Sequence, residues 1–339
     1  MLQYSHMNNE NKQIDMLAIG DTVVDAFIKI KDASTHCKIN NEECELCVRY
    51  GDKVPFESVE ICYAVGNCAN AAVSASRLGL HSALYSYVGK DRDGEDCLTS
   101  LQKDGVDTTY MHVDPDNKTN YHYVLWYEAN RTILVKHEHY KYDFKMDVAP
   151  KWIYLTSLGE NTVDFQMQIV DFVEKHPETK LAFQPGTFQM KMGKEVLDRI
   201  YKNTEIFFCN VEEAQRILGE TSRDPKTLMK ALANLGPKKV VMTDGFAGAY
   251  SYDPATDEAY FMPVYPHTPV EATGAGDAFA STVVSALIHG KTLHEALSWA
   301  PINSMSVVGQ VGAQKGLLTR EKLEEYLKNA PESYKLSKI

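Results

Sequence analysis

Short apolar runs alternate with segments of helical period along most of this chain. Met16-Leu17-Ala18-Ile19 reads as a buried strand that ends at Gly20, and Ser82–Gly89 reads as a second. Further strands are expected at Trp152–Leu155, Leu181–Gln184, Ile206–Cys209 and Lys239–Thr243, with helical patterns between them at 162–175, 193–202, 211–218 and 225–235. Additional helices are expected leading out of the Ala64–Ala72 stretch to about Leu78-Gly79, from Ala278 to His289, from Ala296 to Val308 and from Arg320 to Leu327. Strands that alternate with helices bury both faces of a sheet. The pattern therefore predicts an α/β fold with a doubly wound, mostly parallel sheet and helices on both faces.

Two stretches break that rhythm. Residues 31–62 are polar and carry cysteines, and Asn120–Tyr127 and Arg131–Lys136 flank a short turn at Ala129-Asn130, which predicts a hairpin. The hairpin, rich in aromatics and carrying Arg131, offers either a lid over a polar substrate or an ordinary sheet packed on a core. His137-Glu138-His139 lacks the spacing of a helical zinc motif and reads as a solvated strand end.

Composition narrows the picture by exclusion. The 339 residues are 44% hydrophobic and 24% charged, an ordinary globular profile, and the net charge of −11 argues against a nucleic-acid or anionic-membrane partner. No apolar run is long enough for a membrane span and the first residues lack a signal-peptide core, so a cytoplasmic address is expected. Seven cysteines do not form a secreted-type framework. Cys44-Glu45-Leu46-Cys47 has C-x-x-C spacing, and Cys37 or His36 would complete a zinc set; reduced cysteines in an inserted segment are the other reading.

The candidate chemistry centres on Thr273-Gly274-Ala275-Gly276-Asp277 at the start of a helical pattern. A small-residue turn there leaves N–H groups convergent on an anion. Asp277 inside it would repel a resting anion, but suits a base that takes a proton from an attacking hydroxyl while the amides hold a phosphoryl group. A plain turn between strand and helix would use the same glycines. A dinucleotide fingerprint fails at Phe279, and Gly193-Lys194-Glu195 is not a phosphate loop. Asp25 lies just past the first strand, where α/β sheets bind ligands, and Gly66, Asn67 and Asn70 open an alanine-rich helix with groups suited to neutral hydroxyls. Asn210 and Glu213 follow a strand and serve either a hydrated Mg²⁺ with phosphates or a helix cap. Thr243, Gly245 and Gly248 form a loop that would lie against a nucleotide or simply turn a hairpin.

In this order, Gly66-Asn67-Cys68-Ala69-Asn70, Asn210-x-x-Glu213, Thr243-x-Gly245-x-x-Gly248 and Thr273-Gly274-Ala275-Gly276-Asp277 resemble the motifs of the ribokinase (PfkB) family of carbohydrate and nucleoside kinases, over about residues 14–328. The resemblance implies ATP-dependent transfer to a hydroxyl of a sugar, with Asp277 as base and the Gly274, Ala275 and Gly276 amides as anion hole. It implies that Asn210 and Glu213 organise Mg²⁺, Glu213 through water, and touch phosphates. Thr243, Gly245, Gly248 and Thr273 would bind ATP, with Asn303 near the adenine. Asp25, Gly66, Asn67, Asn70 and Arg131 would hold the acceptor. It also implies a small β-sheet lid from segments of about 27–62 and 107–142, which often pairs subunits into a homodimer, with residues 1–13 and 329–339 as flexible termini.

Three departures stand out. Val65 replaces a glycine common in the family, the 31–62 insertion is long, and Glu271-Ala272 replaces Asp-Thr. In potassium-activated members that acid binds a monovalent cation, which makes Glu271 the K⁺ candidate. A nucleoside kinase is the nearest alternative, with the Tyr121–Tyr127 run as a slot for a base. A silent sugar or nucleotide sensor on the same fold is the alternative outside enzymes.

Overall fold

The computed structural model describes residues 13–37, 44–128 and 130–339. The expected fraying of residues 1–13 lies outside them, apart from Gln13. A ten-stranded sheet runs, edge to edge, Ser337–Lys338, Glu258–Met262, Ala249–Asp253, Val240–Thr243, Thr204–Asn210, Lys180–Phe183, Trp152–Leu155, Met16–Ile19, Ser82–Gly89, Met111–Asp114. From Val240–Thr243 to Met111–Asp114 all neighbours are parallel, and the strands beyond Val240–Thr243 are antiparallel.

Successive strand residues point to opposite faces, and the two apolar cores divide accordingly. Met16, Ala18, Tyr154 and Ala182 pack with the helices Asn67–Arg77, Ala275–Ile288 and Leu293–Val308. Leu17, Ile19, Leu155 and Phe183 pack on the other side with Val163–Lys175, Val211–Leu218 and Pro225–Ala233. The fold is thus the doubly wound sheet that the periodicity predicts.

A separate four-stranded sheet forms the lid, in the order Phe56–Val65, Val23–Ile30, Asn120–Tyr127, Asn130–Leu134. In its register Asp25 lies opposite His122, and Ala26 opposite Tyr123. One face therefore carries Asp25, His122 and Val124 toward the large sheet, while Tyr123, Leu134, Val59 and Ile61 stand exposed on the other.

Local differences from the sequence reading have physical causes. Of the helix expected over 193–202 only Asp198–Asn203 forms, and a separate short helix, Thr187–Met192, precedes it and ends at Gly193, at φ 87°. Met111–Asp114, placed in a lid segment by the sequence, pairs with Ser82–Gly89 at the large sheet's edge. The tail beyond 328 is packed: Tyr334 is buried, its hydroxyl donates to the Ser298 carbonyl, and Ser337–Lys338 joins the sheet. No helix of the described residues is long and apolar enough to cross a membrane.

Candidate active site

Gly274 caps the helix Ala275–Ile288 in the left-handed conformation, at φ 78°. A side chain there would also meet Ala313 Cβ at 2.5 Å, so only glycine fits this turn. Asp277 falls in the first helical turn and is 7% exposed. Its Oδ1 accepts from Asn67 Nδ2 at 2.7 Å and its Oδ2 from Asn70 Nδ2 at 2.8 Å, while Gln184 Nε2 lies 3.4 Å from Oδ1. Burial pushes the Asp277 carboxyl above the ordinary carboxylate range, and these amides pull part of the way back. Gln314 Nε2 donates to Asn70 Oδ1 at 3.0 Å and fixes that amide in turn. Asn67 and Asn70, expected to hold the acceptor, thus each give one N–H to Asp277 and keep a second. A carboxylate oxygen takes more than one hydrogen bond, so Asp277 keeps acceptor capacity for a hydroxyl proton.

The turn before the helix is tied to the lid. Glu271 Oε1 accepts from the Thr273 backbone N–H at 2.7 Å and from its hydroxyl, and the same oxygen pairs with Arg131 of the lid strand Asn130–Leu134. A guanidinium therefore occupies the carboxylate expected to offer a K⁺ ligand. Glu271 Oε2 is buried with no hydrogen-bond partner. Of the expected anion-hole donors, Ala275 N–H makes a long turn contact to the Ala272 carbonyl at 3.4 Å, whereas the Gly276 amide, in the first turn, has no intrahelical acceptor.

One cleft of about 430 Å³ brings together Asp25, Gly66, Asn67, Asn70 and Arg131 with Asn210, Glu213, Thr243, Thr273, Gly274, Gly276 and Asp277. A neighbouring, largely apolar cavity of about 190 Å³ is lined by Gly245, Phe246, Gly248, Met262, His267 and Met305 and reaches Ala275 and Gly276. Gly248, at φ 117°, lies so close to Met262 that a Cβ would come within 2.6 Å of its carbonyl oxygen.

Asn303 does not reach that cavity. It is fully buried, donating to Thr282 Oγ1 at 2.8 Å and accepting from the Leu318 N–H at 2.9 Å, while its neighbours Ser304 and Met305 line the cavity. Helical period turned the asparagine inward. Asn210 and Glu213 form a reciprocal cap, at 2.8 and 2.9 Å, and both still border the main cleft. Burial, with Asp277 a lesser contributor, raises the Glu213 carboxyl. Half-buried Glu213 and buried Asp277 border one cleft, where a cation held by Glu213 would relieve their repulsion.

Four residues that the sequence reading left without a site role complete the acceptor end. Buried Asp21 accepts from Tyr142 Oη at 2.6 Å, the Gly159 N–H at 2.7 Å and His137 Nδ1 at 3.1 Å. Burial first, and Asp21 second, push the Tyr142 hydroxyl well up, which keeps it a donor. His137 Nε2 meets His122 Nε2 at 3.2 Å, and His122 Nδ1 lies 3.3 Å from Asp25 Oδ1. His137 is therefore not a solvated strand end. Alternation along the 120–127 strand put His122 on the same side as Asp25 and was a usable signal; nothing local pointed to Asp21 or Tyr142.

The zinc expectation is overturned. Cys37 and Cys44 are joined in a disulfide across the exposed hairpin Ser34–Cys37 and Cys44–Cys47, so neither is a reduced thiol nor a thiolate ligand. Among the described residues no group of three or more His, Cys, Asp or Glu is arranged to hold a metal.

The sequence matches the model of the pfkB family carbohydrate kinases over residues 29–320. It is 30% identical to the ribokinase of Bacillus subtilis over 77% of this chain and 87% of that protein. It is 26% identical to a nucleoside kinase of Methanothermobacter thermautotrophicus over 74% of this chain and 80% of that one. Its fold is similar to that of Arabidopsis thaliana ribokinase complexed with ribose and ATP, with a TM-score of 0.78 at 17% identity, over 94% of this chain and 99% of that one.

Proposed function

Because the chain belongs to the pfkB family of carbohydrate kinases, phosphotransferases with a hydroxyl acceptor, we propose that it moves the γ-phosphoryl group of ATP to a small, uncharged sugar. The observation that carries this reading is the placement of Asp277. A buried carboxylate with a raised proton affinity, held by two amides, sits in the same turn as the amides that would receive the phosphoryl oxygens.

In this reading the acceptor hydroxyl lies against Asp277, which takes its proton as the oxygen attacks phosphorus. The Gly276 amide and the start of the helix offset the charge on the transferred group. Glu213 and Asn210 would hold Mg²⁺ through water, and the ion would neutralise phosphate charge. The apolar cavity beside Gly248 takes the adenine. Asp25, which lines the cleft, takes a sugar hydroxyl. K⁺ is not part of this reading, since Arg131 holds Glu271.

A sugar is favoured over a nucleoside by one observation. The aromatic residues of Asn120–Tyr127, expected to hold a base, do not border the cleft: Tyr121 and Tyr123 line a separate groove with Asp91 and Asp93. The exposed apolar face of the lid, with Val59, Ile61, Tyr123 and Leu134, is where we place the contact between two copies of the chain.

The test is ADP release from ATP and Mg²⁺ with a panel of pentoses, hexoses, sugar acids, sugar phosphates and nucleosides. Stimulation by an uncharged sugar supports the proposal, and stimulation by nucleosides alone replaces it with a nucleoside kinase. Saturable ATP and sugar binding without any turnover points to a sensor.

A further inference from the structure

Two neutral imidazoles carry enough protons for the contact between His122 and His137, and the flanking carboxylates decide where those protons sit. His137 Nδ1 faces Asp21 Oδ2 at 3.1 Å, and that oxygen, already accepting from Gly159, can only accept again. Nδ1 of His137 is therefore the protonated nitrogen. Its Nε2 then accepts, and the donor at 3.2 Å is His122 Nε2. On the far side His122 Nδ1 stands 3.3 Å from Asp25 Oδ1, within ion-pair distance though not aimed as a hydrogen bond. A third proton, on His122 Nδ1, would replace lone-pair repulsion of that carboxylate by attraction and would leave the pair with one positive charge between two carboxylates.

The other charged groups facing the pair do not reverse that balance. Arg131 borders the same cleft but is committed to Glu271, Tyr142 is a neutral donor, and Phe188 packs its ring against His137. Asp277, across the cleft, adds a further negative charge. The acceptor end is net negative, and Asp25 Oδ1, buried without a hydrogen-bond partner, has the His122 ring beside it at 3.3 Å.

We infer that His122 and His137 are specificity-determining residues: they position Asp25 to accept a hydroxyl from an uncharged polyol, and the chain Asp21–His137–His122–Asp25 excludes acceptors that carry a carboxylate or phosphate near that end. This rests on the kinase reading above for the place of the acceptor, and adds residues that reading does not use. Neither histidine touches the reacting atoms; both act through Asp25.

The test uses the full chain with His122→Gln and His137→Gln variants. First, with no nucleotide present, titration calorimetry measures binding of the sugar that best stimulates the wild type, or of ribose if none does. Each variant is expected to weaken that binding at least ~10-fold, the scale of one lost hydrogen bond to a charged group. Second, steady-state kinetics should show a rise in acceptor KM, with kcat and ATP KM within about 3-fold of wild type, the signature of lost uniform binding. Third, ring ¹⁵N spectra of the wild type should show the Nδ1–H form of His137 and a doubly protonated His122. Unchanged sugar affinity in both variants, a neutral His122, or wild-type preference for a sugar phosphate or sugar acid would each overturn the inference while leaving the kinase reading intact. Absence of turnover with every acceptor, with sugar binding still sensitive to the histidines, would instead overturn the kinase reading alone. Matching thermal melts for variants and wild type separate these outcomes from misfolding.

Discussion

Asn67 Nδ2 donates to Asp277 Oδ1 at 2.7 Å across 210 residues of sequence, and so joins the first turns of two helices that open on one cleft. The bond holds the base still and leaves it buried. Asp277→Asn is expected to lower kcat/KM by at least ~100-fold, the usual worth of a positioned base, in the coupled ADP-release assay. Its thermal midpoint near neutral pH is expected to be no lower than wild type. A raised carboxyl proton affinity means that the folded chain prefers the neutral group, and asparagine is its neutral isostere.

The same shift has a sign in the pH profile. Asp277 works ionised, so kcat should fall as pH drops, along an acid limb displaced above the ordinary carboxylate range. Stability runs the other way for this group. Its folded value exceeds its unfolded value, so the unfolded chain releases this proton first and stability falls as pH rises between the two. A kcat profile with an acid limb at or below the ordinary range would remove Asp277 from the role of base.

Asn70 tunes that limb. Its amide lowers the Asp277 proton affinity, and Gln314 orients it. Asn70→Ala should move the acid limb of kcat to higher pH and destabilise the fold by about 1–3 kcal/mol, the cost of a buried group left unsatisfied. Gln314→Ala, one bond further away, should move the limb in the same direction by less.

Arg131 holds the lid to the turn that precedes the helix of Asp277. In Arg131→Ala, Glu271 would keep its burial and its Thr273 contacts but lose its only ion-pair partner among the described residues. Arg131 is partly exposed, so the loss is expected at about 1–3 kcal/mol by urea unfolding, below the value for a fully buried pair. Amide exchange in 120–134 should quicken in this variant without a matching change in the large sheet.

The lid's outer face carries its own prediction. Leu134→Glu or Val59→Glu introduces charge where apolar side chains stand exposed, and each should shift the chain from dimer to monomer in sedimentation experiments. A wild-type monomer at micromolar concentration would dismiss the pairing.

How much of this was legible depended on whether the signal was local. The alternation of apolar strands and helical segments reported both faces of the large sheet, and the glycine turn before Asp277 reported its cleft, because turn chemistry is written in adjacent residues. Asp21, Tyr142, Gln184 and Gln314 became site residues only through tertiary pairing across distant segments. Asn303 shows the opposite case: next to Ser304 and Met305, which line the apolar cavity, it is rotated one helical step into the core. The cysteine spacing was equally compatible with a metal, with free thiols and with a cross-link between paired strands, and only the Ser34–Cys37 register with Cys44–Cys47 separated them.

The distance along the chain between the base and its amides also sets an order of events during synthesis. When the helix Asn67–Arg77 leaves the ribosome, Asn70 is ready to be buried, yet the carboxylate that satisfies it is still 207 residues from being made. The acceptor half must therefore wait with a polar gap in its interior, open to water, until the helix of Asp277 docks against it. Catalytic competence and closure of that core arrive in one step, so a nascent chain that stalls before residue 277 is both inactive and incompletely packed.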